Sequence, residues 1–593
     1  MKICSLIRRH ASMLALLIVI LGLFAAPYLI PENPDSEVFR TGTLGTILML
    51  FCYFPVQQAL SRADRRTLAS GLGFGFLFAA ALSIGSELHV YEGILPGMGS
   101  MLRRMAIPCM AAPLFGALAA RLMLPREDAH MPRRAPSLNL PMWGYMLVFV
   151  ACWTPLLLAF YPGLMNYDVF IEYGQFLGGW NDRHPMLYLV FTYAFYRLGL
   201  IFGQQTLAML AVSIVRMVTF AAALAYACHF LQRRRVSAWC LALLTALFAL
   251  LPIYSVMSVS SAKDTPFAAA LLVLSLLCWD ALEDPDTFFA SRRRRIALVL
   301  MIILTWHMRK NGVAALVLLP AVILAMRRRR LQMIRLSLAG VAASVLLAVG
   351  MDVVLKPMDQ PSFQLYSLPA QQLVRAYNYG DLSEEDRAEI KSWYLDDYDL
   401  IVRPHLADGA KGYLKEAYLK EHQGDFMALW ARIGKKCPRV YAEAFLMLNQ
   451  GLWYPDDLTH ASIYQSQFWT PVGYLQMHFY DMSDYNIHTR SFLPKLAAWV
   501  DRVCAQNSYQ KYPLLSILFC TATPLWIILF SCAMLIARKK TRSISVCAGV
   551  LGLTISYLFG PCTLPRYVLP TFCLAPVVLM LAFLPTHSAS AQE

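Results

Sequence analysis

Charge is what this sequence is short of. Only 15% of its 593 residues are Asp, Glu, Lys or Arg, and acidic residues number 37 against 52 basic ones. With 58% hydrophobic residues and a mean hydropathy of +0.49, apolar runs of about twenty residues recur along the chain. That excludes a soluble globular domain and predicts an all-α polytopic membrane protein. The 14 cysteines lack metal-ligand spacing. Most, such as Cys52, Cys152, Cys278 and Cys532, lie inside apolar runs and read as small hydrophobes. Cys437 and Cys504 are the one pair in the long polar region, and the sequence leaves their pairing open. Internal repeats and low-complexity tracts are absent, and so are Gly/Pro-broken apolar segments in matching halves, which counts against a repeat-built transporter. The net charge of +15 would suggest nucleic acid in a soluble protein. Here the basic residues cluster beside apolar runs, as cytoplasmic anchors do, so no nucleic-acid partner is expected and membrane lipids are.

The charge clusters predict topology. The first apolar run, Ala11 to Ile30, follows Arg8 and Arg9, which places the N-terminus in the cytoplasm. Runs near 43–60, 70–86, 105–124 and 141–160 then carry the chain back and forth, with Arg62, Arg65, Arg66, Arg121, Arg126, Arg133 and Arg134 inside. Tyr161 is thereby delivered to the outer face. The next apolar segment, Met186 to Phe202, decides everything downstream. If it crosses, Arg233–Arg235, Arg292–Arg295, Arg327–Arg330 and Arg538–Lys540 all land outside; if it lies along the outer leaflet, all are cytoplasmic. Because the orientation bias rarely fails at every loop, a non-crossing juxtamembrane helix is expected. Further spans near 206–230, 236–256, 265–282, 296–308, 313–326, 331–355, 512–537, 543–560 and 564–584 make about fourteen in all, two of them short. The polar insert 356–510 is then extracytoplasmic, and its turns read as amphipathic helices.

Against that topology several charges are out of place. Lys263, Arg309, Lys310, Arg375 and Arg566 fall at or just beyond outer helix ends, where an unpaired charge in apolar surroundings costs about 2.5–3.5 kcal/mol. An anionic ligand would relieve that cost, arginine and lysine being the usual partners of phosphate. Structural ion pairs, such as Lys263 with Asp264, explain them equally well, and Arg216 within a span is a helix-packing residue or part of the same site. Between spans lies Tyr161 to Pro185, YPGLMNYDVFIEYGQFLGGWNDRHP, which holds Asp168, Glu172, Asp182 and His184. A carboxylate there can serve as general base on an acceptor hydroxyl. Equally, Asp168 can cap a short helix starting at Val169.

YPG with Asp168, Gln175 and His184-Pro185 after a first outer loop, followed by Lys263-Asp264, the Arg309–Gly312 stretch and Arg566-Tyr567, resembles uncharacterised multi-pass bacterial membrane proteins related to the GT-C glycosyltransferases. That superfamily includes protein O-mannosyltransferases and lipid A aminoarabinose transferases. The resemblance covers roughly 141–584. It implies a GT-C-like bundle in the cell membrane: a four-helix extension over 1–140, a core over 141–355 with its first outer loop at 161–205, an outer helical domain over 356–510, and C-terminal helices over 511–593. It further implies transfer of a sugar from a polyprenyl-phosphate donor to a cell-envelope glycan, lipid or protein acceptor. By carry-over Asp168 is the base, with Glu172 or Asp182 as second acid and His184 orienting the loop. Lys263, Arg309, Lys310, Arg375 and Arg566 would hold the donor phosphate, and Gln175, Trp453, Tyr454 and Asp456 would meet sugar or acceptor. Some members use a divalent metal and others do not, and no ligand cluster decides it here. The superfamily often pairs acids in this loop, whereas Tyr167 precedes Asp168. A lipid-linked-sugar flippase and a non-catalytic glycan-binding protein are the alternatives.

Overall fold

A computed structural model describes residues 2–29, 43–125, 139–165, 167–358, 363–455, 482–505 and 517–584. Among them the chain is helical, with no strand and only isolated β-bridges. The N-terminal group comprises α1 (Ala11–Leu29), α2 (Thr43–Arg62), α3 (Arg65–Tyr91) and α4 (Met98–Met123). Next come α5 (Met142–Ala159), α6 (Tyr167–Gly178), α7 (Met186–Phe202) and α8 (Gln205–Arg233). The bent pair α9 (Ala238–Leu250) and α10 (Pro252–Val259) leads to α11 (Asp264–Glu283), α12 (Arg292–His307) and α13 (Arg330–Leu355). From the polar insert α14 (Ser367–Tyr379) and α15 (Pro438–Leu448) matter below, and α16 (Thr523–Ala537) and α17 (Pro565–Phe583) close the bundle.

Eight described helices, α1, α3, α4, α5, α8, α11, α13 and α17, are long and apolar enough to cross a membrane, and a ninth span arises if α9 and α10 count as one. That pair bends by 47° because Pro252 opens a new helix, where its missing N–H is harmless and its ring would clash with an uninterrupted turn. The run over 236–256 therefore comes as two pieces instead of one rod. Other expected spans coincide with shorter apolar helices, Gly312–Ala325 and α16 among them. At 1.5 Å per residue, the 15 residues of α16 reach about 23 Å, less than a hydrocarbon core of about 30 Å. Around α11, the most enclosed of the long helices, Phe267, Leu271, Leu274 and Cys278 pack with Phe220, Leu298, Val568 and Phe572 in one continuous core.

Contacts between helix ends sort the charges. Arg234 pairs with Asp280 and Glu283, Arg329 with Asp286, and Arg538 donates to the carbonyls of Phe583 and Met123. The basic ends of α8, α13 and α16 thus gather at one end of the bundle with the C-termini of α4, α11 and α17. At the other end, where α5 finishes, the insert docks. Arg490 N–H donates to Tyr161 O at 3.0 Å, Ala407 N–H to Pro561 O at 2.7 Å, and Asn449 Nδ2 to Leu558 O at 3.0 Å.

α7 begins and ends at this docking end. Asn486 Nδ2 donates to Gln205 Oε1 at 3.1 Å at the start of α8, while Arg490 bonds Tyr161 just past α5. The stretch from 486 to 490 extends at most about 14 Å, far short of a bilayer, so α7 does not separate the end of α5 from the start of α8 by a membrane thickness. α7 turns back at Gly203, whose φ of 64° only glycine adopts freely, and packs antiparallel to α8.

Candidate active site

The loop after α5 is clamped before it reaches its charged residues. Gly163 has φ 146°, and a Cβ there would lie 2.4 Å from Ser213 Oγ of α8, so only glycine lets the loop sit this close. Leu164 N–H donates to Val259 O at 2.9 Å and its carbonyl accepts from Ser261 N–H at 2.8 Å, tying the loop to the turn between α10 and α11. α6 then starts beside the N-terminus of α11. Asp168, Glu172 and Gln175, at i, i+4 and i+7, share one helical face, and all three are buried.

Three helix ends bring the partners. Lys263 immediately precedes α11, Arg566 follows Pro565 in the first turn of α17, and Arg309 lies just past α12. Asp168 Oδ2 accepts from Lys263 Nζ at 2.8 Å and from Arg566 Nη1 at 2.7 Å. Lys263 Nζ also donates to His184 Nδ1 at 3.0 Å, and that nitrogen stands 3.8 Å from Glu172 Oε1. On the other side Arg566 Nη1 lies 3.8 Å from Asp264 Oδ2, and Asp264 Oδ1 is paired with Arg309. Arg309 is fixed from behind: Nε donates to Asn311 Oδ1 at 2.8 Å, and its guanidinium lies 4.4 Å from the Tyr567 ring centre and 5.3 Å from that of Tyr557. A continuous chain of polar contacts thus runs from Glu172 through His184, Lys263, Asp168, Arg566 and Asp264 to Arg309, with acids and cations alternating from Lys263 onward.

The buried acids are not equivalent. Burial alone would raise Asp168, but the Lys263 and Arg566 charges outweigh it and hold its carboxyl well below the usual range. Burial pushes Glu172 up to about 8, with Lys263 opposing and Asp168 adding to the rise. Burial, followed by the Lys263 charge, takes His184 down to about 3. His184 is therefore neutral near pH 7, as accepting at Nδ1 requires, with its proton on Nε2.

Several expected site residues lie elsewhere. Arg375 of α14 is paired with Glu443 of α15 at 3.1 Å and donates to Glu92 O at 2.5 Å, fastening the insert to the end of α3, apart from Lys263, Arg566 and Arg309. Trp453 and Tyr454 are not in the site either. Tyr454 is buried among Ala25, Leu29 and Ala79, its ring filling the space a side chain at Gly85 would need, and Trp453 Nε1 donates to Leu446 O at 3.2 Å. Their aromatic surface serves to seat the insert on the N-terminal helices. Asp456 lies outside the described residues. Asp182 and Lys310 form a half-exposed pair at 3.2 Å on the rim, apart from the buried chain. Gln175 Oε1 accepts from Asn181 N–H at 3.2 Å and shapes the loop leading to His184. Cys437 is a buried free thiol, and the side chain of Cys504 lies outside the description.

Lys263 does not pair with its neighbour Asp264. Each reaches a different partner because consecutive residues at a helix start point in different directions. Asp168 does not precede its helix as a cap but stands inside the first turn of α6, which begins at Tyr167. Sequence reasoning assigned no bracing role to Tyr188, Asn311, Tyr557 or Tyr567, although Asn311 and Tyr567 lie in the Arg309–Gly312 and Arg566-Tyr567 stretches it singled out. Tyr188 OH accepts from Arg216 Nη1 at 2.7 Å and donates to Ser261 O at 2.6 Å, so Arg216 joins α7, α8 and the turn before Lys263. The adjacency of Tyr567 to Arg566 and the closeness of Asn311 to Arg309 were the signals that could have found two of them. Among the described residues no group of three or more His, Cys, Asp and Glu is arranged to hold a metal ion.

A family model described as "Family of unknown function (DUF6020)" matches residues 178–593. The match takes in His184, Lys263, Arg309 and Arg566 and begins after Asp168, Glu172 and Gln175. No curated protein and no solved structure matches the chain.

Proposed function

We propose that this chain, which belongs to the DUF6020 family of unknown function, is a membrane glycosyltransferase that moves a sugar from a polyprenyl-phosphate donor to a cell-envelope acceptor. The observation that carries the reading is the meeting of Asp168 with Lys263 and Arg566, 95 and 398 positions away, at one end of an apolar bundle. A carboxylate beside two anchored cations at a membrane surface suits a reaction in which a proton is taken and a phosphate leaves. The basic clusters at the opposite end support an orientation with that end in the cytoplasm and the site outside. With the eight long helices, α2, the bent pair, α12, Gly312–Ala325, α16 and the helix Ala548–Tyr557 complete about fourteen crossings in a GT-C-like bundle where the bilayer thins around the short ones.

The reaction is a single displacement. Asp168 takes the proton from the acceptor hydroxyl as its oxygen forms a bond to the anomeric carbon. The bond from that carbon to the phosphate oxygen breaks, and its electron pair leaves with the polyprenyl phosphate. Lys263 and Arg566 stabilise the charge that accumulates there, the kind of preorganised electrostatic effect worth about 3–4 kcal/mol per donor. His184 holds Lys263 from one side, and Asp264 with Arg309 holds Arg566 from the other. The test is transfer by the full-length protein in liposomes supplied with polyprenyl-phosphate sugars and envelope acceptors. Asp168→Asn should remain folded and lose transfer by about a hundredfold or more; undiminished transfer would rule Asp168 out as base. Movement of labelled lipid-linked sugar between leaflets without a new glycosidic bond would favour a flippase.

A further inference from the structure

We infer that in the free protein Asp168 is neutralised by the same two cations the donor phosphate needs, so that donor binding releases the base and the acceptor is engaged second. This deepens the transferase reading and rests on it. The geometry is a conflict over one position: Lys263 Nζ at 2.8 Å and Arg566 Nη1 at 2.7 Å converge on a single atom, Asp168 Oδ2. A phosphate oxygen lodged between those donors takes the place of that carboxylate oxygen. Two anions do not share the fork, because like charges in contact repel. The cations are held from behind, so they stay when Asp168 leaves. Lys263 keeps His184 Nδ1 at 3.0 Å, and Arg566 keeps Asp264, itself fixed by Arg309. Arg309 in turn is pinned by Asn311, which donates to Ser556 Oγ at 3.0 Å, and by the Tyr557 and Tyr567 rings.

The exchange has a chemical consequence. A carboxylate gripped by two cations is a weak base, and one that has yielded them to a phosphate is a stronger one. The base is then competent only when a donor is present to receive the nucleophile. The coupling is reciprocal, so whatever loosens Asp168 must tighten the donor. Removing the carboxylate's charge should therefore increase donor affinity, the opposite of what losing a mere structural clamp would do.

The experiment measures equilibrium binding of farnesyl phosphate, farnesol and inorganic phosphate to the full-length protein in nanodiscs. Asp168→Asn is expected to bind farnesyl phosphate about tenfold tighter than wild type, with Lys263→Ala and Arg566→Ala each binding it more weakly. Equal or weaker binding of both farnesyl phosphate and inorganic phosphate by folded Asp168→Asn overturns the inference. A tightening seen only with inorganic phosphate supports the exchange and assigns the fork to a free anion. Should Asp168→Asn fail to fold, wild type answers alone: carbodiimide labelling of Asp168, followed by peptide mass spectrometry, should rise when farnesyl phosphate is added, and constant labelling overturns the exchange. Failure of the underlying reading looks different, because wild type would then bind farnesyl phosphate no better than farnesol.

Discussion

Arg375 and Arg566 have the same charge and nearly the same burial, 4% and 3% exposed, yet only one belongs to the site. Both fit the sequence criterion, a cation where the charge rule wants none, and that criterion is silent about which acid lies opposite. Arg375 meets Glu443, and removing one member of such a buried pair costs about 3–5 kcal/mol by leaving the other uncompensated. Arg375→Ala should lower the unfolding temperature of the protein in detergent while farnesyl phosphate binding by the folded fraction stays unchanged. Loss of binding without loss of stability would return Arg375 to the site. The presence of an acid and several cations was legible because polar residues in apolar surroundings demand a reason. Their pairing was not, because the contacts of Asp168 span 95 and 398 positions. Titration offers a second residue-scale check. Glu172, raised from 4.5 to about 8, binds its proton more tightly folded than unfolded, so its contribution to stability is complete below pH 4.5 and is lost as pH rises through 8. His184, lowered from 6.5 to about 3, acts oppositely, its contribution being lost as pH falls below 6.5. Between pH 6.5 and 8 only Glu172 of this pair is changing. The unfolding temperature of wild type should fall across that window, and Glu172→Gln should flatten the fall; parallel curves would show that Glu172 does not titrate there.

At the scale of elements, α7 shows how far a charge count reaches. The basic clusters beyond it predict a helix that does not cross, and the short stretch from Asn486 to Arg490, which extends at most about 14 Å, bridges the end of α5 and the start of α8. The charge pattern could not show what α7 is for. It lies against α8 so closely that a Cβ on Gly199 would stand 2.8 Å from Ala208 Cβ and 3.1 Å from Gln205 Cα. The same pairing aligns Tyr188 with Arg216, and through Ser261 it sets the turn before Lys263. Gly199→Val forces α7 and α8 apart and should cost about 1–3 kcal/mol of stability, read as a lower unfolding temperature. A variant as stable as wild type would mean that the hairpin is loose. The break between α9 and α10 carries a related lesson. Pro252 was in plain view, but a proline in an apolar run fits either a kinked span or the first turn of a new helix, and only packing chooses.

For the whole molecule the question is which way the bundle faces. Helix directions place the site, the insert and the ends of α3 and α5 together, and the arginine-rich ends of α8, α13 and α16 at the opposite end. The insert is bound to both parts of the membrane region: Gln450 Nε2 donates to Gly85 O at 3.2 Å on α3, and Thr521 Oγ1 to Gly451 O at 2.5 Å just before α16. One orientation therefore applies to the N-terminal four helices and to the part the family model matches. Lysine and arginine are retained on the cytoplasmic side during insertion, and the four downstream clusters Arg233–Arg235, Arg292–Arg295, Arg327–Arg330 and Arg538–Lys540 favour one orientation. Two reporters read this directly. The Asp396 side chain in the insert is 97% exposed and that of Arg328 at the opposite end 80%, so cysteines at either position are reachable and disturb only weak surface pairs. Measured above the background of the native thiols, Asp396→Cys should react with a membrane-impermeant maleimide on intact cells, and Arg328→Cys only after permeabilisation. The reverse pattern would put Asp168 and its cations in the cytoplasm, where an envelope acceptor cannot meet them.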